Sequence, residues 1–264
     1  MEAILRDGAA QRAERQHQLA DSLSQTVVPV FIHDEAGRPE HLGSCVLVAL
    51  DGRHYALTAG HVLQDAGAAH VWAAAGNGRL EPLPYTDRFC SRADSGRLGD
   101  IDIGLMPLRS DGLGPFAQCK FLSDADLDAK GNAQYQLFSN FYFVMGYPAS
   151  RNQSEVNHCG KKIKVKSFHL ATNPPIEDLF EKEQLSKAEH LVVEFDHKDM
   201  EIERKRVTPP KLHGVSGGGI FCISCSNYEG PLVAIATEHR KQSRILVGTR
   251  IGYFVDAARQ LNGL

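Results

Sequence analysis

Short runs of apolar and β-branched residues recur along most of the chain, and glycine, asparagine and aspartate separate them. Regularly spaced runs of this kind predict β-strands and an all-β fold. The Asp51-Gly52 pair between two such runs predicts a tight hairpin turn. We therefore predict strands at residues 26–33, 43–49, 54–59, 71–75, 79–83, 101–108, 140–146, 163–170, 190–195, 220–223, 232–236 and 245–248.

The two ends of the chain have a different pattern. Residues 1–25 are polar, with a thin apolar stripe at Leu19 and Leu23, and are predicted to form a helical or flexible extension. Residues 252–261 are predicted to form a closing helix. Residues 113–128 are less regular, so we expect the connection between two β halves there.

The composition is that of an ordinary globular protein, with 42% apolar and 23% charged residues among 264. The formal net charge of −3 argues against nucleic acid as a partner. No apolar run approaches the ~20 residues that span a bilayer, which argues against a membrane. The N-terminus lacks the apolar region of a secretory signal, so a cytoplasmic location is expected.

Six cysteines are spread through this long chain, and in the cytoplasm they are expected to be reduced thiols. Cys222 and Cys225 have the C-x-x-C spacing, but no second pair of cysteine or histidine residues accompanies them. A structural zinc site needs four ligands. We therefore predict neither a metal nor another cofactor.

One serine, Ser216, lies among four glycines within residues 213–221. Glycines are tolerated in such numbers where the backbone takes unusual angles or where another group approaches it closely. On its own the stretch fits a tight turn with an incidental serine equally well. A serine nucleophile also needs a base, a group that orients the base, and donors for an oxyanion.

Two other segments offer the missing groups. An apolar strand delivers His61 as a base, and Asp100 and Asp102 open an alternating strand as orienters. Both aspartates fall on the same face of a strand, so the residues alone leave two choices. The candidate groups follow one another along the chain in the order His, Asp, Ser.

These three segments resemble the motifs of a known protein family. Thr58-Ala59-Gly60-His61, Asp102-Ile103-Gly104-Leu105 and Gly214-Val215-Ser216-Gly217-Gly218 match the three marks of the trypsin-like serine peptidases. The chain resembles that family over roughly residues 26–254. The resemblance implies two six-stranded antiparallel β-barrels of the chymotrypsin type, at about 26–112 and 130–251. The peptidase domain would span residues 26–264, after the extension at 1–25, and would end in a helix at about 252–262.

The resemblance also implies a role for each site residue. Ser216 is the nucleophile, His61 its general base, and Asp102, which precedes the Ile-Gly-Leu segment, orients His61. The backbone N–H groups of Gly214 and Ser216 form the oxyanion hole. The expected activity is that of a serine endopeptidase that works through an acyl-enzyme. The expected partner is a protein or peptide substrate, and a regulatory protein that activates the enzyme is a second candidate partner.

By the same resemblance, the substrate adds a strand along the edge at Ala236, Thr237 and Glu238. The base of the specificity pocket is expected at residues 209–212, where no acidic residue supports a preference for lysine or arginine. Three departures are visible, since Val215, Gly219 and Val62 replace the usual Asp or Asn, Pro and Cys. With Val215, activation through a freed N-terminal amine is not expected.

Three alternatives stay open beside this interpretation. The chain could be a non-catalytic peptide-binding module on a peptidase scaffold, because fold does not fix function. It could be a latent effector in which residues 1–25 dock a partner. An α/β-hydrolase would also use a Gly-x-Ser-x-Gly stretch, but it needs Asp and His after the serine. Only 48 residues follow Ser216 (264−216), His239 is their one histidine, and the chain shows no alternation of β and α units, so this last alternative is disfavoured.

Overall fold

The computed structural model describes residues 2–75, 78–91, 101–152, 156–157, 162–163, 165–195, 200–202, 205–207 and 212–263. Asp100, the alternative orienter, lies outside these ranges. So do residues 209–211 of the expected pocket base. Within the ranges, no helix combines the length and the hydropathy that a membrane span requires.

The described residues form four helices, α1–α4: Glu2–Leu23, Gly60–Asp65, Ala149–Asn152 and Ile251–Leu261. The strands β1–β17 are Val27–His33, Pro39–Leu50, Arg53–Thr58, Trp72–Ala74, Leu80–Pro82, Phe89–Cys90, Gly104–Leu108, Asn140–Gly146, Val156–Asn157, Lys162–Ile163, Phe168–Thr172, His190–Glu194, Met200–Ile202, Lys205–Val207, Gly219–Ser224, Leu232–Arg240 and Ile245–Arg250. Short 3-10 turns at Ser110–Gly112, Gly114–Phe116 and Asp124–Asp126 occupy the predicted connection. The prediction of a mostly β chain with a helix near each end is confirmed.

In the first half of the described chain, seven antiparallel strands form a sheet in the order β5-β4-β1-β2-β3-β7-β6. The hairpin β2–β3 turns at Asp51 and Gly52, which have φ of 48° and 77°. Positive φ at both central residues is the conformation that favours an Asp-Gly pair. The edges of the sheet approach each other, because Tyr85, just beyond β5, forms an antiparallel bridge to Leu108 in β7.

In the second half of the described chain, six antiparallel strands form a sheet in the order β11-β8-β15-β16-β17-β12. Its two edge strands meet at one end. Glu194 donates its backbone N–H to the carbonyl of Asn173 at 2.9 Å, and the Thr172 hydroxyl donates to the carbonyl of Glu194 at 2.8 Å. The sheet is therefore curled rather than flat.

Several predicted strands differ from the observed ones. The strand predicted at 43–49 begins earlier, at Pro39, and the strand predicted at 101–108 begins later, at Gly104. The sequence predicts one strand at residues 163–170, whereas the structure has β10, which ends at Ile163, and β11, which begins at Phe168. β16 is longer than the predicted 232–236 and continues to Arg240. Its polar end has no apolar alternation to reveal it, but it pairs with β17 as far as Arg240 opposite Ile245.

The two sheets share one hydrophobic core. Its buried side chains include Leu57 and Leu105 from the first sheet, Phe143 and Phe221 from the second, and Phe254 from α4. The C-terminal part of α1 joins the same core, since Ala20 is buried there and the predicted stripe residues Leu19 and Leu23 pack against it. The contact between the sheets is thus apolar and continuous, and it fixes the loops that meet along it.

Candidate active site

His61 lies in α2, directly after β3, which is where the apolar strand is predicted to deliver it. Gly60 makes this position possible. A Cβ atom on Gly60 would come within 2.7 Å of both Asp102 Oδ1 and the Ile103 carbonyl oxygen. The absence of a side chain at residue 60 lets the Asp102 segment pack against the first turn of α2.

His61 and Asp102 form a two-point contact. Nδ1 of His61 lies 2.7 Å from Oδ2 of Asp102, and the His61 backbone N–H donates to Oδ1 at 3.0 Å. The side chains are 41% and 27% exposed, so the pair lies at the surface of a cleft rather than in the core. Because the carboxylate occupies Nδ1, Nε2 is the nitrogen left to face solvent.

The pKa of His61 is raised above its usual value. The main cause is the hydrogen bond to Asp102, and burial of the ring opposes it. The negative charges of Asp102, Asp65 and Glu238 raise the pKa further. No sequence motif connects Asp65 with the site. Three carboxylates therefore favour the imidazolium form of His61.

The backbone around Asp102 is held on both sides by one hydroxyl group. Ser91 Oγ donates to the carbonyl of Ile101 at 2.6 Å and accepts from the N–H of Ile103 at 2.9 Å. From the second sheet, the Thr249 hydroxyl reaches the carbonyl of Asp102 at 3.5 Å. Asp102 is thus fixed in place as well as bonded to His61.

Ser216 lies in the turn that precedes β15, in the second sheet. Its hydroxyl donates to the backbone carbonyl of Thr237 at 3.2 Å. Within the described residues, no hydrogen bond joins Ser216 to His61. Serine–histidine hydrogen bonds are often long or poorly aligned until substrate binds.

The backbone of the Ser216 turn is held by a set of hydrogen bonds. The donors and acceptors are Val215 N–H to Leu212 O at 2.8 Å, Gly217 N–H to Ala236 O at 2.7 Å, Gly218 N–H to Val215 O at 2.8 Å, Ser44 N–H to Ser216 O at 2.9 Å, and Ala149 N–H to His213 O at 2.7 Å. Several of these reach outside the turn. The turn is therefore anchored to both sheets and to α3.

Two backbone N–H groups of this turn differ from the others in their hydrogen bonding. Within the described residues, neither the Gly214 nor the Ser216 backbone N–H has a hydrogen-bond acceptor. Gly214 has a φ of 94°, in the left-handed region that favours glycine. These are the two donors that the family resemblance assigns to an oxyanion hole, and they are available for an external acceptor.

Gly217 explains how closely the turn approaches the first sheet. Its φ is 85°, and a Cβ atom there would overlap the Ser44 carbonyl oxygen and Oγ1 of Thr58. Only glycine satisfies both the angle and the approach. The glycine run in the sequence thus has a local geometric cause.

The predicted substrate edge lies beside Ser216. Ala236 bonds to Gly218, and β16 shifts its register with β17 between Ala236 and Glu238, so that Thr237 bulges. The pairing of β15 with β16 ends at Ile235. Beyond Ala236, no described strand pairs with the β16 edge that faces away from β17. Among the described residues, this edge is therefore left for an extended ligand.

Glu238 is held by an ion network at the end of β16. Arg240 donates from Nε to Oε2 of Glu238 at 3.0 Å, and its Nη1 lies 3.1 Å from Oε2 of Glu183. Ser243 also bonds to Glu183. The Arg240 side chain is only 8% exposed, so two carboxylates surround one buried guanidinium and fix this strand end.

Ser44 touches the site and was missed by sequence reasoning. It is fully buried in β2, and both its backbone and its side chain bond to the Ser216 turn. The available signal was a hydroxyl in a strand whose following residues, from Cys45 to Leu50, are apolar. Among the described residues, no three His, Cys, Asp or Glu side chains cluster as a metal site requires.

Neither a protein-family model nor a curated protein matches this sequence. The function is therefore inferred from the site itself. The site joins a histidine–carboxylate pair from the first sheet to a serine turn from the second, with two backbone donors that have no acceptor among the described residues.

Proposed function

We propose that this protein is a serine endopeptidase of the trypsin-like family, with His61, Asp102 and Ser216 as its triad. One observation carries the proposal. In a turn anchored by hydrogen bonds, the Gly214 and Ser216 N–H groups are left without acceptors among the described residues, and an oriented histidine stands on the neighbouring sheet. The proposed double barrel is supported by the way the edges of each sheet approach each other.

In the proposed reaction, Ser216 Oγ attacks the carbonyl carbon of a peptide bond, and its proton passes to Nε2 of His61. The carbonyl oxygen becomes an oxyanion that accepts from the Gly214 and Ser216 N–H groups. The C–N bond then breaks, and His61 returns the proton to the leaving amine. A water molecule, deprotonated by His61, hydrolyses the acyl ester and releases Ser216.

Asp102 supports two steps of this reaction. It accepts from Nδ1 of His61, which keeps Nε2 free to take a proton. Its charge then stabilises the imidazolium, in agreement with the raised pKa of His61. Each oxyanion donor is expected to contribute roughly 2.7–4 kcal/mol of transition-state stabilisation.

The substrate is proposed to be a protein or peptide. It would extend along Thr237 and Glu238 as an added strand, and its own backbone would supply the hydrogen bonds. This edge is adjacent to Ser216 because Thr237 already accepts the Ser216 hydroxyl. A substrate backbone N–H that donates to the Thr237 carbonyl would release the Ser216 hydroxyl for His61.

The orientation of Ser216 toward Thr237 also favours a second candidate function. If the hydroxyl stays bonded to the Thr237 carbonyl when a peptide binds, the protein is a peptide-binding module without catalysis. The two functions predict the same peptide-binding edge. They differ in whether the bound peptide is cut.

The first test is hydrolysis of a diverse peptide library, with cleavage sites read by mass spectrometry. We expect cleavage by the wild type, and a loss of at least about a thousandfold in Ser216→Ala and in His61→Ala. Ser226→Ala removes an exposed serine in the turn after β15 and should cleave like the wild type. Peptide retention without any cleavage would favour the binding module. Equal cleavage by Ser216→Ala would exclude Ser216 as the nucleophile.

A further inference from the structure

Ser44 connects the first sheet to the turn that carries the proposed nucleophile. It lies in β2, and its side chain is fully buried. Its backbone N–H donates to the carbonyl of Ser216 at 2.9 Å. Its own carbonyl accepts from the hydroxyl of Thr58 at 2.7 Å, which ties this point of β2 to β3. The residue is therefore held firmly on the side of the first sheet.

The Ser44 hydroxyl makes two further bonds. Oγ donates to the carbonyl of Gly214 at 2.8 Å and accepts from the backbone N–H of Tyr147 at 2.9 Å. The Tyr147 bond fixes the direction in which the hydroxyl can donate. As a result, the single proton of the Ser44 hydroxyl is directed to Gly214.

The Gly214–Val215 peptide has no side chain on its Gly214 side that would fix its orientation. Gly214 has a positive φ, and glycine tolerates more backbone conformations than any other residue. Its carbonyl is buried and accepts from Ser44 alone within the described residues. Without that donor the carbonyl would be buried and unpaired, which is unfavourable.

A turned peptide would be harmful to the proposed reaction. It would break the bond from Val215 N–H to Leu212 O. It would also disturb the peptide that links the Gly214 and Ser216 units, whose N–H groups are to receive the substrate oxyanion. Oxyanion stabilisation depends on donors that are already oriented before reaction.

We propose that Ser44 is a positioning residue whose hydroxyl fixes the orientation of the Gly214–Val215 peptide, which lies between the two proposed oxyanion donors. The inference rests on the proposed function, and it adds a residue that no sequence motif marks. Ser44 touches neither the substrate nor the reacting atoms. It acts through the orientation of one peptide unit.

The kinetic test compares Ser44→Ala and Ser44→Cys with the wild type on a peptide that the wild type cleaves. We expect kcat to fall about tenfold to a hundredfold in Ser44→Ala and KM to change less than about threefold, because the lost interaction orients donors that act on the transition state. Cysteine is a weaker donor of similar size and should give an intermediate kcat. Thr172→Ala removes a hydroxyl–carbonyl bond in the second sheet, away from the turn, and should leave kcat unchanged.

The structural test measures amide hydrogen exchange in the turn that carries Ser216. The Val215 N–H should be protected in the wild type and in Thr172→Ala, and it should exchange faster in Ser44→Ala at a temperature where the variant is folded. A wild-type kcat in folded Ser44→Ala would overturn the proposal, and so would unchanged Val215 exchange. If Ser44→Ala does not fold, the same two readouts in Ser44→Cys decide.

The two readouts also separate this inference from the proposed function. If the wild type cleaves no peptide, the peptidase proposal fails. Faster Val215 exchange in Ser44→Ala would then still support the positioning of the turn. If the wild type cleaves and Ser44→Ala cleaves equally well, the peptidase proposal stands and the role of Ser44 is excluded.

Discussion

At the scale of single residues, His41 is the group beside the site that is buried at an energetic cost. It is 4% exposed, and neither ring nitrogen has a hydrogen-bond partner within the described residues. Its ring packs edge-on against Phe31, with centroids 5.0 Å apart. It also contacts the turn, since a Cβ atom on Gly214 would lie 2.6 Å from His41 Cε1. Burial, followed by the charge of His213, lowers the pKa of His41 to about 4.

The lowered pKa of His41 predicts that the folded state loses stability in acid. Its pKa in the folded state is lower than in the unfolded chain, so the unfolded chain binds the additional proton between about pH 6.5 and pH 4. Stability is complete above that range and falls as the pH is lowered through it, by about 3 kcal/mol for this group. Urea unfolding of the wild type and of His41→Phe, measured from pH 7 to pH 4, checks this. The variant should lose less stability over this range than the wild type.

His213→Gln provides the second arm of that experiment. Removing the His213 charge should bring the pKa of His41 closer to its usual value and reduce the acid loss, but by less than His41→Phe does. Identical pH profiles for the wild type and His41→Phe would contradict the account, because the acid loss would then arise elsewhere.

Individual residues also show which parts of the site can be predicted from the sequence and which cannot. His61, Asp102 and Ser216 stand in local motifs, and the three motifs in their chain order together mark them as candidates. Ser44 and His41 have no motif, because their importance comes from the opposite sheet. The contact from Ser44 to Gly214 spans 170 residues of sequence, and no local pattern records it.

At the scale of elements, two turn glycines, Gly217 before β15 and Gly37 between β1 and β2, differ in how closely other groups surround them. Gly217 has both a positive φ and a crowded position against Ser44 and Thr58. Gly37, in the turn between β1 and β2, has a similar φ of 73°, but a Cβ atom there would meet no other group within 4 Å. The two positions therefore separate the effect of the backbone angle from the effect of close approach.

We expect Gly37→Ala to lower the free energy of unfolding by about 1–2 kcal/mol, the cost of the left-handed conformation. Gly217→Ala should cost at least about 2 kcal/mol more, because the added methyl overlaps buried backbone. Denaturant unfolding of both variants measures the difference. Equal losses would mean that the turn moves freely away from β2, and the anchoring described for Ser44 would then be wrong.

An element can be predicted from the sequence when residues close to it in the chain determine its conformation. The β2–β3 hairpin is predictable because Asp51 and Gly52 alone set the turn. The last part of β16 is not, because its polar residues pair with β17 without an apolar alternation. The buried guanidinium of Arg240 is paired with Glu183, a residue far away in sequence. The bounds of β11 are also missed, since residues 163–170 alternate as one strand would but do not pair as one.

At the scale of the whole molecule, the candidate site exists only where the two sheets meet. His61 lies in α2, directly after β3 of the first sheet, and Asp102 lies just before β7 of the same sheet. Ser216 lies in the turn before β15, and Thr237 lies in β16, of the second sheet. The common core that includes Leu57, Phe143 and Phe254 keeps these groups within reach of one another. The general order of strands can be anticipated from the sequence, but the contact between the sheets cannot, because it depends on long-range packing.

The central claim is that Ser216 is a nucleophile and that His61, which follows a strand of the first sheet, activates it. Labelling with a fluorophosphonate, followed by mass spectrometry of the labelled peptide, tests it most directly. The account predicts label on Ser216 in the wild type, no label in Ser216→Ala, and labelling slowed at least about a hundredfold in His61→Ala. An unlabelled wild type, label on another serine, or equal rates with and without His61 would contradict it.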